Sequence, residues 1–456
     1  MNKYIVVGII LVVLVALLAT NKKLVETLKN IYKIEELRSR ILFTLGLLLI
    51  YRLGSFVTLP GVDHAVLEQW TQNFASDSSS LMGLLNIFSG GAFSQASIFA
   101  LGVMPYITAS IIIQLLGIMV PYFRKMQREG ESGRRRMNQW TRFLTIAVLL
   151  LQGPAYLATQ VLSSGAVTVT GNFLGIANGV FIVPSVIILI AGTMFIMWLG
   201  EKITDKGIGN GISLIIMIGI VARLPQSFLQ ELMFQTTGGG SIIMLIVELV
   251  FLALVFMLAI AIVQAVRKIP VQYAKRIVGN KQYGGVRQYI PLKLNAANVM
   301  PIIFAQALMF IPGLIWGGQW LDITSFWYNF TLVVLVIAFT YFYTAIIVNP
   351  QMMADDMKRN GGFIPGVKPG KSTVSYIDDI MTRITLPGSV FLAIITILPA
   401  IAMTLGITQG FAYFFGGTSL LIMVGVVLDT LKQIESYLLM RHYDGLMKTG
   451  RIQGRY

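Results

Sequence analysis

The chain has 456 residues, of which 55% are hydrophobic and only 12% charged; a soluble domain carries about a quarter charged residues, so a polytopic membrane protein is expected. Cysteine is absent, and the two histidines are His64 and His442, which excludes disulfides, thiol catalysis and Cys-based metal sites and leaves little for a His-ligated metal. The net charge of +15 does not require nucleic acid, because the cytoplasmic loops of membrane proteins are rich in lysine and arginine.

The first apolar run is residues 4–20, "YIVVGIILVVLVALLAT". It reads as an extra helix entering from outside or as a misassigned translation start. A cleaved signal peptide fits least, since the basic residues follow the run instead of preceding it. About 20 apolar residues cross the hydrocarbon core. By that measure ten spans follow, at 41–57, 95–120, 141–162, 180–200, 211–230, 241–265, 297–317, 327–349, 385–406 and 413–431. The basic residues between them alternate. Segments 21–40 and 121–140 carry six each, 266–296 carries seven and 350–384 five, whereas 58–94, 163–179, 318–326 and 407–412 carry none. This alternation places residues 21–40 and the C-terminus in the cytoplasm.

One boundary is unusual. The segment 85–103, "LNIFSGGAFSQASIFALGV", enters the second span without a charged or aromatic anchor and breaks at Ser89-Gly90-Gly91. Further on, "GIGNGIS" (207–213) superficially resembles a phosphate-binding loop. It follows a cytoplasmic turn and not a strand, so its glycines are expected to serve a tight turn and close helix approach. The "RRR" at 134–136 suffices as a topology determinant and equally suits RNA phosphates. Two basic loops, 266–296 and 350–384, are far longer than the usual connection of about 4–6 residues, and a docking role accounts for the length that the charge rule alone does not.

Ionisable groups inside the spans are few. Arg52 and Arg223 fall near outer ends, where they can snorkel to water, and Asp429 near an inner end. Glu248, within "IIMLIVELVFLALVF", is read as lying near the outer interface or facing a neighbouring helix; as a coupling carboxylate it would instead suit an inverted-repeat secondary transporter. No serine–histidine–acid arrangement is evident, so no enzyme, cofactor or metal is expected. A non-conducting membrane scaffold is a third reading.

Seven stretches carry a resemblance: "LNIFSGGAFSQASIFALGVMPYITASIIIQLL", "EGESGRRRMNQWTR", "GTMFIMWLGEKITDKGIGNGIS", "VQYAKR", "PLKLNAANVMPIIFA", "FYTAIIVNPQMMADDMKRNGGFIPGVKPG" and "FGGTSLLIMVGVVLD". From about residue 22 to the C-terminus the chain resembles the SecY family, the central channel subunit of the bacterial Sec protein translocon. The resemblance implies an all-α fold of ten transmembrane helices in two pseudo-symmetric five-helix halves, a clamshell. These occupy 22–230 and 231–440, with 1–21 an extra segment and 441–456 a cytoplasmic tail. It implies that 83–93 is a re-entrant plug, a short half-helix including Asn86, Ile87, Phe88, Ser89, Gly90 and Gly91, whose serines tolerate a wet vestibule. A pore ring is implied at Val103, Ile107, Ile212, Ile216, Ile303 and Ile422, and a lateral gate at Gln114, Thr141 and Asn295, where polar side chains bridge helices for roughly 1 kcal/mol each.

Docking of a motor or ribosome is implied at Arg267, Lys268, Lys275, Arg276 and Lys368. Lys368 stands in "GVKPG" where many members have arginine, and the tip "VGNKQYGGVRQY" lacks the adjacent basic pair often found there. The implied function is passage of unfolded secretory polypeptides across the plasma (inner) membrane and release of apolar segments sideways into lipid. The implied partners are SecE-like and SecG-like subunits, the SecA motor ATPase, the ribosome, signal sequences, SecD/SecF and a YidC-like insertase.

Overall fold

An amide in hydrocarbon has no water to bond, so each apolar stretch must close its hydrogen bonds within itself. The computed structural model describes residues 34–67, 69, 86, 89–169, 171, 178–237, 241–273, 276–278, 281–283, 287–297, 299–316 and 324–448. The apolar run at 4–20 lies outside them. Ten long helices occupy the ten expected spans: α1 (Glu35–Gly54), α2 (Met104–Met119), α4 (Glu131–Tyr156), α5 (Gly179–Lys206), α6 (Gly211–Thr237), α7 (Ile242–Gln264), α8 (Met300–Trp316), α9 (Phe326–Ile347), α11 (Lys371–Thr404) and α13 (Gly417–Lys448). Among the described residues seven are long and apolar enough to cross a membrane on their own. The other three fall short for visible reasons. α1 carries Arg38, Arg40 and Arg52 besides Glu35 and Glu36, while α2 and α8 have only 16 and 17 residues. Short helices are α3 (Pro121–Arg128), bent by 100° from α2, α10 (Pro350–Arg359) and α12 (Gln409–Ala412).

The first half packs in sequence, α2 on α4, α4 on α5 and α5 on α6; in the second half α9 lies against both α8 and α11. α13 joins the halves by packing on α6, α7 and α11. One contiguous apolar core runs through both halves, from Leu48 and Tyr51 of α1 through Ile196, Ile215 and Ile220 to Leu392 and Leu420. α7 leaves Ile243, Val250 and Met257 exposed, as a helix facing lipid does.

Helices do not stop where apolarity stops. α4 starts ten residues before the span expected from 141, α11 starts at Lys371 instead of 385, and α13 runs on to Lys448. These extensions absorb much of the basic segments, including "RRR", where Arg135 pairs with Glu131 at 2.8 Å one turn away. The second span is shorter than expected. Residues 89–103 are turns, and the helix begins at Met104 instead of 95.

The long loop 266–296 is a β-structure that the all-α expectation missed. β1 (Val266–Tyr273) pairs antiparallel with β4 (Arg287–Lys293), Ile269 opposite Ile290, and around a smaller hairpin of β2 (Arg276–Val278) and β3 (Lys281–Tyr283). β5 (Gly362–Phe363), from the other long loop, adds to the free edge of β1 at Gln272 and Tyr273. Ile269, Val271 and Leu292 bury one face of this sheet against Met357 of α10 and Ile377 and Met381 of α11. Both loops are long because together they build one folded platform.

The "GIGNGIS" glycines do what close packing asks. Gly209 takes φ +83°, and a Cβ on Gly211 would collide with the Gly200 carbonyl of α5.

Candidate functional site

Residues 89–103 sit where α1, α4, α5 and α6 meet. Gly90 and Gly91 take φ +65° and +97°, which only glycine adopts freely, and Gly90 lies so close to α6 that a Cβ would stand 2.9 Å from Gly219 Cα. Ser89 and Ser97 are buried and serve the backbone; Ser89 Oγ accepts the Phe93 N–H at 3.0 Å, and Ser97 Oγ that of Phe99 at 3.1 Å. The expected wet serines are therefore internal ties. Asn86 Oδ1 accepts the Ser94 N–H at 3.2 Å, and the Gly91 N–H donates to Asn86 O at 2.9 Å. Tyr156 of α4 donates to Phe93 O at 2.7 Å. Ser89–Phe93 is a chain of turns, with reversals at Gly90 and Gly91, and Asn86 is helical; residues 83–85 of the expected half-helix lie outside the described residues. Ile87 and Phe88 lie outside the described residues.

Two cations hold this segment. Arg52 of α1 donates to Gly90 O at 2.8 Å, and Arg223 of α6 to Ser94 Oγ at 3.2 Å. Neither snorkels away, as the sequence had suggested; they turn inward because buried turn carbonyls and hydroxyls need donors. The sequence signal for this role was available, in two arginines near outer ends with no acid at helical spacing.

Five of the six ring residues, Val103, Ile107, Ile212, Ile216 and Ile422, belong to or pack on the core that joins both halves. Ile303 instead packs on an adjoining cluster with Ile111 and Phe304, against which Ile107 also packs. Val103 is the N-cap of α2 and not within it, yet its carbonyl still accepts the Ile107 N–H at 3.0 Å. Ile212 packs against Gly200 of α5.

The gate residues are placed but unlinked. Gln114 is exposed and donates to Ser110 at 3.4 Å, and Thr141 donates to Met137 O at 2.9 Å, each within its own helix. Asn295 is buried, and its Oδ1 has no partner among the described residues. Tyr343 of α9, its ring tilted against Phe304 at 5.0 Å between centroids, has an equally unpartnered hydroxyl there. That residue was not singled out from sequence, since a tyrosine in an apolar span looks like core.

On the platform, Arg267 and Lys268 of β1 and Lys368 of the β5–α11 connection are exposed. The Lys368 carbonyl accepts the Thr373 hydroxyl at 3.0 Å, tying that turn to the start of α11. Arg276 begins β2, and Lys275 lies outside the described residues.

A bundle of apolar helices, with a glycine-turned segment folded among them and a basic platform that exposes Arg267, Lys268 and Lys368, is the layout of a membrane channel. The profile of the SecY family matches residues 97–431. The chain is 42% identical over 438 residues to a protein named "Protein translocase subunit SecY" of Streptomyces galbus, covering 91% of this chain and 98% of that one. To the protein of the same name from Chlamydia trachomatis it is 40% identical over 457 residues, covering 94% and 99%. Among solved structures, "The structure of a protein conducting channel" superposes with TM-score 0.59 at 18% identity, covering 87% of this chain and 91% of that one. "Sec61 in the Canine ribosome-channel complex from the endoplasmic reticulum" gives 0.53 at 17%, with the same coverages. The chain belongs to the SecY family. It is a multi-pass membrane protein with the fold of the protein-conducting channels, and the secondary-transporter alternative finds no support.

Proposed function

We propose that the chain is the channel through which unfolded secretory polypeptides cross the bacterial plasma membrane, with its C-terminus cytoplasmic, and from which apolar segments leave sideways into lipid. The observation that carries this reading is the Ser89–Val103 segment. It is a non-helical stretch held by two arginines, its Ala92, Phe99 and Val103 part of the apolar core that runs through both halves; this reading sets it at membrane depth. Irregular backbone is tolerated at that depth only inside protein or along a water-filled cavity. In this reading the segment is the plug. Beneath it Val103, Ile107, Ile212, Ile216, Ile303 and Ile422 form the neck, which excludes water and ions because apolar walls dewet and parts for a chain without binding it.

The gate lies where α2 and α4 face α8 and α9. Its closed face holds the unsatisfied Asn295 Oδ1 and Tyr343 hydroxyl, and such groups favour opening toward a segment that supplies partners. The platform docks the energy source, a SecA-like motor or the ribosome, through Arg267, Lys268, Lys275, Arg276 and Lys368. SecE-like and SecG-like subunits clamp the lipid-facing surface. The first test is ion conductance in a planar bilayer. Deleting residues 86–93 is expected to convert a silent channel into a leaking one. Equal, negligible conductance before and after the deletion would remove the plug from this account.

A further inference from the structure

The chain passes from the first half to the second between α6 and α7, on the side that the charge alternation makes external. Four polar residues meet at that seam. Glu231 and Gln235 stand four apart on one face of α6, Glu248 projects from α7, and Thr408 precedes α12 in the second half. Glu231, Gln235 and Glu248 are all nearly inaccessible, at 0%, 4% and 2% exposure. Gln235 Nε2 donates to Glu231 Oε1 at 2.9 Å and to Glu248 Oε1 at 3.0 Å. Its orientation is fixed independently, because Gln235 Oε1 accepts the Ser241 N–H at 3.2 Å and only a carbonyl can do that.

The donors are shared unequally. Glu231 accepts three bonds, one from Gln235 and two from the Thr408 N–H (2.8 Å) and hydroxyl. Glu248 accepts one, and its Oε2 is buried without any partner among the described residues. α7 packs on α6, α13 and the 3-10 turn Tyr413–Phe415. The ionisable groups these elements present toward this end are Glu231, Tyr413, whose hydroxyl accepts from Gln409 at 3.3 Å, and Arg223, eight residues before Glu231 on α6 and donating to Ser94. The first charged residue of α13, Asp429, comes twelve residues into that helix. The ion pairs among the described residues involve neither glutamate. Two buried anions side by side without a counter-charge are untenable. A metal ion would have to sit between the carboxyl oxygens, and the Gln235 NH2 fills that position. A single proton removes one of the two charges, and at the partnerless Oε2 a neutral acid is far less costly than an anion.

We propose that Glu231, Gln235 and Glu248 form a proton-binding site, with Glu231 ionised and the proton on Glu248 Oε2, and that the protonated cluster is a brace holding the two halves together at their seam. The second clause rests on the channel reading; the first does not. While the proton is bound, Gln235 bridges an anion and a neutral acid. Once external pH rises far enough to remove it, two anions face one amide and the seam loosens.

The test uses the full chain in bilayers. Infrared difference spectroscopy across a pH step should show the carbonyl band of a protonated carboxylic acid, lost in Glu248→Gln and kept in Glu231→Gln. Thermal unfolding separates the roles. Glu248→Gln, neutral like the acid it replaces, should melt near the native temperature. Glu231→Gln should melt lower, because an amide offers one acceptor oxygen where three donors converge. A band that survives Glu248→Gln, or the reverse order of melting, overturns the proton site. If the band behaves as expected but ion leak through the native channel does not rise with external pH, or rises equally in Glu248→Gln, the brace is overturned. The plug-deletion leak is read in the same bilayers and reports separately on the channel itself.

Discussion

Arg52 and Arg223 show what a single side chain adds to the Ser89–Val103 segment, the plug of the proposed channel. Each lends a charged donor to the plug segment, and such bonds contribute about 1.5–3 kcal/mol. Since 1.4 kcal/mol is a factor of about ten, Arg223→Gln should raise resting conductance about tenfold or more, and Arg52→Gln similarly, without loss of the folded channel. Single-channel recording checks this, and native silence in both variants would leave the apolar neck as the whole seal. Their chemistry was legible in the sequence but their partners were not. Helical periodicity tells which face a side chain shares, whereas Gly90 lies 38 residues from Arg52 and Ser94 lies 129 from Arg223. Glu248 repeats the lesson. It looked solitary because Glu231 fell one residue beyond the span read at 211–230.

Among the elements, the platform is the part that the sequence concealed. "VRKIPVQY" hides its alternation behind two basic residues and a proline, and β5 has only two residues. The charge pattern that announced a solvated loop also masked the buried Ile269 and Val271. Ile269→Asp would place an unpaired charge among Leu292, Ile377 and Met381, a change in the class that costs several kcal/mol. The expected outcome is loss of motor-driven transport with the ion seal intact, read by a vesicle translocation assay beside conductance. Lys268→Glu, on the exposed face, should weaken motor or ribosome binding in a salt-dependent way while melting normally. Binding unchanged at low salt would remove Lys268 from the docking surface. Helix ends were misread for a related reason. Apolarity marks where lipid stops, but i→i−4 hydrogen bonding continues through α4, α11 and α13 into water.

For the whole molecule, the ten long helices were readable because bilayer thickness fixes helix length. Which helices meet across the halves was not readable, since lipid-facing and neck-facing isoleucines look alike. Ile107 and Ile303 pack against one cluster, which makes the proposed closure testable. The native chain has no cysteine, so cysteines at both positions form the sole thiol pair. Oxidation should stop release of apolar segments into lipid, and reduction should restore it. Undiminished release in the oxidised protein would place the exit elsewhere.

α11 has a mechanical consequence. Its 34 residues run unbroken from Lys371, beside the platform, to Thr404, four residues before the Thr408 that Glu231 holds. At 1.5 Å per residue that is a rod of about 50 Å. Pro387 and Pro399 each delete a rung of its hydrogen-bond ladder, giving it two compliant joints. One rod with two joints thus connects the basic platform to the neighbourhood of the Glu231–Thr408 tie.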